Sequence, residues 1–266
     1  MKSRALYLAI PLGGALLLGL GYAFAGEALV RSLLTTENIV AFGAATLGSL
    51  LAARAFGKGD YLRTAWALMA LCYALLLIDT SVFGASNSAA QREVSTFEAL
   101  TSGSLTITAN LVTIISLVLV ARAWRVAGLD LQVSRGAFIG SMAIALVVSC
   151  AIVGRGVLAD VTALAGGKLD AVQGLASSLG DVASTVLLIP LLLTALSLRG
   201  GSLAWPWALL TASTALWLGV DAIALLTDAL GVAPATMMPL EEACRFGACL
   251  FQLTAGLAQR DAVRAI

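Results

Sequence analysis

The sequence predicts an all-α polytopic membrane protein with eight transmembrane helices and both termini in the cytoplasm. Of the 266 residues, 60% are hydrophobic and only 12% are charged, which is about half the charged fraction of an ordinary soluble domain. Eight apolar stretches are long enough to cross about 30 Å of hydrocarbon at about 1.5 Å per residue. Lysine and arginine are also distributed unequally between the two predicted sides, as the positive-inside rule expects.

The eight predicted spans follow one another along the chain, so residues 1–266 are expected to form a single membrane domain. The spans cover residues 5–25, 38–57, 64–84, 100–123, 136–154, 171–198, 203–227 and 239–259. With the amino terminus inside, eleven basic residues fall on the inner side and five on the outer side or its helix ends. Four tryptophans fall at predicted inner helix ends, where an aromatic belt is expected; they are Trp66, Trp124, Trp205 and Trp207.

The first span has an alternative interpretation as a secretory signal peptide. Lys2 and Arg4 precede an apolar run, and Ala23-Phe24-Ala25 could form a cleavage site before Gly26. The run of about twenty residues is longer than the usual signal-peptide core. We therefore expect the first helix to be retained.

Two four-helix repeats, residues 1–130 and 131–266, are also predicted. Trp66 and Trp207 each lie near the start of a helix that runs to a carboxylate, Asp79 in one case and Asp221 in the other. An even number of helices per repeat gives both repeats the same orientation, with a pseudo-two-fold axis along the membrane normal.

Carboxylates within apolar segments are the main functional candidates, because an ionisable group at membrane depth is costly to keep there. Asp181 lies about 15 Å into the sixth helix, whereas Asp79 and Asp221 lie nearer the outer ends of theirs. Ser177 and Thr185 are four residues from Asp181 on either side and share its helix face. These residues either line a pocket for a small ligand or cation, or bond one another inside a helix interface. Asp79 and Asp221 either face each other or sit separately.

A charged cluster opens the eighth predicted helix. Glu241, Glu242 and Arg245 are spaced so that the arginine can pair with one acid across a helical turn, and the three residues either form a structural ion pair or contribute to a ligand or ion site. We expect the second acid to remain free at the outer mouth.

Several cofactors and partners are excluded by the residue inventory. The chain has no histidine, so histidine-ligated haem, histidine zinc sites and histidine-based triads are not expected. Lys2, Lys58 and Lys168 all lie in predicted tails or loops, which leaves no intramembrane lysine for a retinal Schiff base. We predict no cofactor. The net charge of +1 gives no electrostatic case for nucleic acid.

The segment from Leu179-Gly180-Asp181 through Arg199-Gly200-Gly201 to Asp221 resembles the multi-helix membrane sensor regions that precede kinase or cyclase domains in bacterial signalling proteins. The resemblance covers residues 179–221. The chain ends a few residues after its eighth predicted helix, so the resemblance implies a separate signalling partner. Ile78-Asp79 and Ser178-Leu179-Gly180-Asp181 also resemble the two motifs of intramembrane aspartyl proteases, but both motifs are broken, so no enzyme is predicted.

These observations favour a membrane sensor or ligand-binding module with a polar, acidic pocket open to the outer side. The alternatives are a small secondary transporter or ion- or proton-conducting protein, and a structural membrane subunit. The inner halves of the helices are almost entirely apolar, which favours the first function. The expected partners are the lipid bilayer, a small ligand or cation, a signalling partner, and a second copy of the chain through small residues such as Gly13 and Gly14. A bacterial inner membrane is the expected location.

Overall fold

The protein is all-helical over the part of the chain that the structure describes, as predicted. The computed structural model describes residues 2–24, 27–84, 95–126, 133–169, 171–201 and 203–264. These residues form eight α-helices: α1 (Lys2–Phe24), α2 (Glu27–Ala55), α3 (Tyr61–Asp79), α4 (Thr96–Val126), α5 (Arg135–Ala165), α6 (Ala171–Ser197), α7 (Ala204–Leu230) and α8 (Pro234–Arg264). A π-helical segment, Thr80–Gly84, extends α3.

Seven of the eight helices, α1 to α7, are long and apolar enough to cross a membrane. The eighth predicted span, 239–259, lies within α8, which does not meet that criterion among the described residues. Its sequence carries Glu241, Glu242 and Arg245 near one end and Gln252 and Gln259 further along. The described part of the chain therefore has the helices of a multi-pass membrane protein, seven by this measure.

Six helices form a closed ring. Packing contacts join α2 to α3, α3 to α4, α4 to α6, α6 to α7, α7 to α8 and α8 back to α2. The other two helices lie outside the ring, with α1 against α8 and α5 chiefly against α6. We name the end of the bundle at which α1 begins the near end, and the end at which α1 finishes the far end. The ring interior is where polar side chains from distant segments can meet.

Two helices extend beyond their predicted bounds. Helix α2 begins at Glu27 rather than at 38, because polar residues at 35–38 interrupt the apolar run without interrupting the helix. Helix α5 continues to Ala165 rather than ending at 154, since its extension packs against α6, with Asp160 lying over Gly174. The segment between the fifth and sixth predicted spans is therefore mostly helix. Most of the segment between the third and fourth predicted spans, residues 85–94, lies outside the described residues.

The ring closes through a tight crossing between α2 and α8. Gly48 and Gly256 bring the two backbones together so closely that a side chain at either position would meet backbone atoms of the other helix. Small residues commonly permit such an approach between membrane helices. Beside the crossing, Gln252 Nε2 donates a hydrogen bond to Ser49 Oγ at 2.9 Å, and both side chains are fully buried.

An apolar layer fills the ring toward the near end. Each ring helix contributes at least one buried side chain to the layer, including Ala52, Trp66, Val120, Leu191, Trp207 and Ala255. The predicted aromatic belt is therefore wrong for Trp66 and Trp207, which are only 3% and 7% exposed. Both belong to the core, because the ring turns their helix faces inward.

Candidate ligand-binding cavity

A cavity of about 590 Å³ lies inside the ring and is lined by residues of all six ring helices. It extends from Thr80 and Gln173, which lie close to far-end helix termini, down to Leu117 and Leu210, which border the apolar layer. A volume of this size is typical of sites for small organic molecules, about 300–1,000 Å³.

Asp181 and Ser177, the candidates from the sixth predicted span, both line this cavity. The Ser177 hydroxyl is placed to hydrogen-bond to the Asp181 carboxyl. Thr185 does not belong to the same wall, because its hydroxyl donates to the backbone carbonyl of Asp181 at 2.7 Å and its side chain is buried in the helix packing. The spacing placed Thr185 on the correct helix turn, but the backbone carbonyl is its partner.

Asp79 and Asp221 have different neighbours in the structure. Asp79 lines the cavity beside Ser102 of α4, whose hydroxyl donates to Gln173 Oε1 at 3.3 Å, and Asp79 Oδ1 has no hydrogen-bond partner. Asp221 lies close enough to Asp181 for the two carboxyls to interact electrostatically, and its other charged neighbours are Arg245 and Glu241. The carboxyl pair at this site is thus Asp181 and Asp221 rather than Asp79 and Asp221.

Arg245 is held by both of its acidic neighbours. Its Nη1 donates to the two carboxylate oxygens of Glu242 at 2.6 and 2.7 Å, and its Nη2 donates to Glu241 Oε1 at 3.2 Å. The expectation that one acid would remain free is therefore wrong. A guanidinium has enough donors to serve two carboxylates at once, and the spacings of three and four residues bring both within reach.

The sequence analysis missed Glu37, a buried carboxyl of α2. Glu37 is 6% exposed and lies beside Glu242 and Tyr22. Its Oε2 atom and the Tyr22 hydroxyl have no hydrogen-bond partner in the structure. Glu37 escaped notice because the predicted span began at residue 38; the polar pair Glu37-Asn38 directly before an apolar run was the available signal.

Three aromatic rings line the cavity at mid-depth. Phe42 and Trp217 are parallel, with ring centroids 6.5 Å apart and an interplanar angle of 1°. The ring centroid of Tyr73 also lies 6.5 Å from that of Phe42, with an interplanar angle of 34°. We call Phe42, Tyr73 and Trp217 the aromatic cluster. The sequence did not reveal it, because single aromatic residues on three separate helices have no recognisable spacing.

Helix α4 contributes a polar strip opposite Asp181. Thr106 lines the cavity and is 6% exposed, and its hydroxyl has no hydrogen-bond partner. One turn further on, Asn110 Nδ2 donates to the Thr106 carbonyl at 3.1 Å, and its side chain packs directly over Gly180 of α6. Glu98 forms a capping box with Ser95 at the start of α4.

Within the part of the chain that the structure describes, no group of three or more His, Cys, Asp or Glu side chains has a geometry that could hold a metal ion. All four cysteines are free thiols. Comparisons of the chain with protein-family models, with curated proteins and with solved structures found no match.

Proposed function

We propose that this protein is an integral membrane ligand-binding module, with a sensor function, whose pocket opens at the far end of the bundle and faces the outside of the cell. One observation carries this proposal: the cavity stops at the apolar layer. Polar side chains such as Asp79, Ser177 and Asp181 lie on the far-end side of that layer. A small ligand could therefore enter the ring from one side and be held there.

The apolar layer favours binding over conduction. Ala52, Leu191 and Ala255 have no exposed surface in the structure, and Trp66 and Trp207 fill the space between them. A conducting path needs polar groups or water along its whole length, and hydrophobic constrictions close pores by excluding water. The layer is a barrier of this kind.

Helix α8 is proposed as the eighth membrane span, on the basis of its packing. It lies antiparallel to α1 along most of the length of α1, since Gly19 approaches Ala243, Gly14 approaches Phe246, and Tyr7 bonds Asp261. A helix that packs along most of the length of a membrane-spanning helix lies at the same depth in the membrane. In the first half of α8, the charged residue Arg245 lines the cavity inside the ring. Both termini then lie on one side, and the distribution of basic residues favours the cytoplasm.

A small transporter is the second candidate function. The observation that favours it is the proximity of Asp181 and Asp221 at a depth of about 15 Å, since intramembrane carboxylates commonly mark proton or cation pathways. The order of the helices around the ring is also compatible with two parallel repeats. If α2, α3 and α4 change places with α6, α7 and α8, the order around the ring stays the same. Helices α1 and α5 depart from that symmetry. Helix α1 packs against α8, which belongs to the second repeat, whereas α5 packs against α6 of its own repeat.

Flux measurements distinguish the two functions. Purified protein in liposomes is exposed to imposed proton, sodium and potassium gradients, beside an Asp181→Asn variant. If the protein is a binding module, neither the original protein nor the variant gives flux above that of protein-free liposomes. Flux by the original protein that disappears in the variant would instead establish the transporter.

The sensor function further requires a signalling partner. Co-purification from native membranes can identify that partner, and the Ser177→Trp variant, in which the larger side chain blocks the cavity, tests whether the association depends on the cavity.

A further inference from the structure

Building on the proposed binding function, we infer that the cavity takes a small organic cation, a protonated amine that carries an apolar or aromatic body. The ammonium group lies at Asp181, and the body lies against the aromatic cluster. The inference rests on the charge balance of the wall, on the arrangement of the rings, and on a buried hydroxyl that lacks a partner.

The charged side chains that line the cavity are Asp79, Asp181 and Arg245. Arg245 does not attract anions from the cavity, because Glu241 and Glu242 together bring one more negative charge than it carries. Asp221 adds a further carboxyl beside Asp181. The lining therefore offers carboxyl oxygens and no unpaired basic group, which disfavours anionic ligands, and a cation beside Asp181 favours the ionised form of its carboxyl.

The aromatic cluster lies at the depth of Asp181. Asp181 is about 15 Å from the far end of α6 and Trp217 about 20 Å from the far end of α7, while Tyr73 is about 9 Å from the end of α3 and about 16 Å from the end of the π-helical segment that extends it. Aromatic faces bind cations and apolar groups, and an ammonium near Tyr or Trp gains about 0.5–2 kcal/mol. A ligand with a charged head and an apolar body can contact Asp181 and the rings at once.

Thr106 is an independent indication that a ligand completes the site. A buried hydroxyl without a hydrogen bond is rare and destabilising, yet Thr106 is 6% exposed, lines the cavity and has no partner. An ammonium N–H can donate to this oxygen. The cavity volume of about 590 Å³ is far larger than a bare inorganic ion requires, which selects an organic cation.

The test uses three probes that share a phenyl body but differ in charge. Thermal unfolding of the detergent-solubilised protein is measured with increasing 2-phenylethylamine, 2-phenylethanol and 3-phenylpropionate at pH 7. Each probe is also tested on Asp181→Asn and on Asp160→Asn, a matched control whose carboxyl lies on α5 and does not line the cavity. Because the probes act on the detergent micelle equally in all three proteins, a difference between the proteins reports binding to the cavity.

We expect the amine alone to raise the unfolding temperature in a saturable way, through binding to the native state. Asp181→Asn should weaken this binding at least tenfold, and Asp160→Asn should leave it unchanged. Equal binding of the alcohol, preferential binding of the carboxylate, or full amine binding by Asp181→Asn overturns the inference but leaves the binding function in place.

If no probe binds, the inference is wrong, and labelling of a Ser177→Cys variant decides whether the proposed function fails with it. Reaction of that thiol with small thiosulfonates in the folded protein means that the cavity is open and takes another class of ligand. A thiol that does not react means that the cavity is closed and that the binding function is wrong as well.

Discussion

Nη1 of Arg245 lies 2.6 and 2.7 Å from the two carboxylate oxygens of Glu242. The Glu242 side chain is only 7% exposed, and Arg245 is 25% exposed. Glu241 contacts the other terminal nitrogen of the same guanidinium. One half-buried cation thus holds a buried carboxylate and a half-buried one at the point where α8 meets the cavity, and the stability of this part of the ring depends on that cation.

Arg245→Leu should therefore destabilise the protein strongly. Removing one partner of a buried ion pair typically costs about 3–5 kcal/mol, because the remaining charge loses its compensation. Thermal unfolding in detergent should show a large drop, and adding Glu241→Gln and Glu242→Gln to Arg245→Leu should recover most of it. Arg260→Leu is the control on the same helix: the two arginines are similarly exposed, but the Asp261 side chain is 44% exposed against 7% for Glu242, so the Arg260–Asp261 pair contributes at most about 1 kcal/mol. Equal effects of the two arginine substitutions would contradict this account.

The crossing of α2 and α8 predicts that two glycines of α2 respond differently to the same substitution. A Cβ at Gly48 would meet the backbone of Leu253, whereas a Cβ at Gly43 would have no atom within 4 Å. Gly48→Ala should lower stability by about 1–3 kcal/mol through overpacking. Gly43→Ala should be neutral or stabilising by up to about 1 kcal/mol, since alanine favours helix. Unfolding temperatures of the two variants provide the measurement, and a Gly48→Ala protein as stable as Gly43→Ala would exclude the tight crossing.

A hydrogen bond between α1 and α8 predicts a pH-dependent contribution to stability. Tyr7 Oη donates to Asp261 Oδ2 at 2.6 Å. Burial alone would raise the pKa of Asp261, but the bond from Tyr7 and the charges of Arg260 and Arg264 lower that pKa below its ordinary value of 3.8. A lowered pKa in the folded state means that the stabilisation is present above about pH 4 and is lost as the pH falls through the folded value.

Tyr7→Phe should accordingly reduce stability at pH 7 by about 1 kcal/mol, a small value because Asp261 is partly exposed. The difference from the original protein should shrink as the pH falls through the range below 4. Unfolding temperatures measured between pH 3 and pH 7 check this, with Asp261→Asn as a second variant that should abolish the pH dependence of the difference. A difference that grows in acid would refute the assignment.

Thr106→Val should raise the stability of the ligand-free protein. Valine has nearly the same shape as threonine but lacks the hydroxyl that is buried without a partner, and removing such a group is worth about 1 kcal/mol or more. The same variant should weaken binding of 2-phenylethylamine, so its unfolding temperature is measured with and without the amine. A decrease in stability without ligand would mean that the hydroxyl has a partner in the folded protein.

Much of the fold could be predicted from the sequence, because a helix that faces lipid must be apolar along its length. Helices such as α6 and α7 begin and end within about three residues of their predicted bounds. The start of α2 and the burial of Glu37 could not be predicted, since a charged residue beside an apolar run ordinarily signals the end of a membrane span. The ring order follows from tertiary packing, and no periodicity in the sequence specifies that α4 is adjacent to α6.

Some residues of the candidate site were among the candidates taken from the sequence, but the contacts between helices were not predicted. Asp181 and Ser177 were correctly grouped, because a spacing of four residues fixes their relation on one helix. The proximity of Asp181 and Asp221 depends on how α6 packs against α7. The aromatic residues Tyr73 and Trp217 bring in α3 as a third helix. Such relations depend on helix rotation, which the hydropathy of these nearly uniform apolar segments does not determine.

Side-resolved labelling of one thiol tests the central claim most directly. Ser177→Cys and Ala195→Cys are introduced separately into a protein whose four native cysteines have been replaced, and sealed vesicles of known orientation are treated with membrane-impermeant thiosulfonates, one cationic and one anionic. A pocket open only to the outside predicts that the thiol at 177 reacts from that side alone and that the thiol at 195, which lies within the apolar layer, reacts from neither side. Reaction at 177 from the cytoplasmic side, with the outside blocked, would contradict the account.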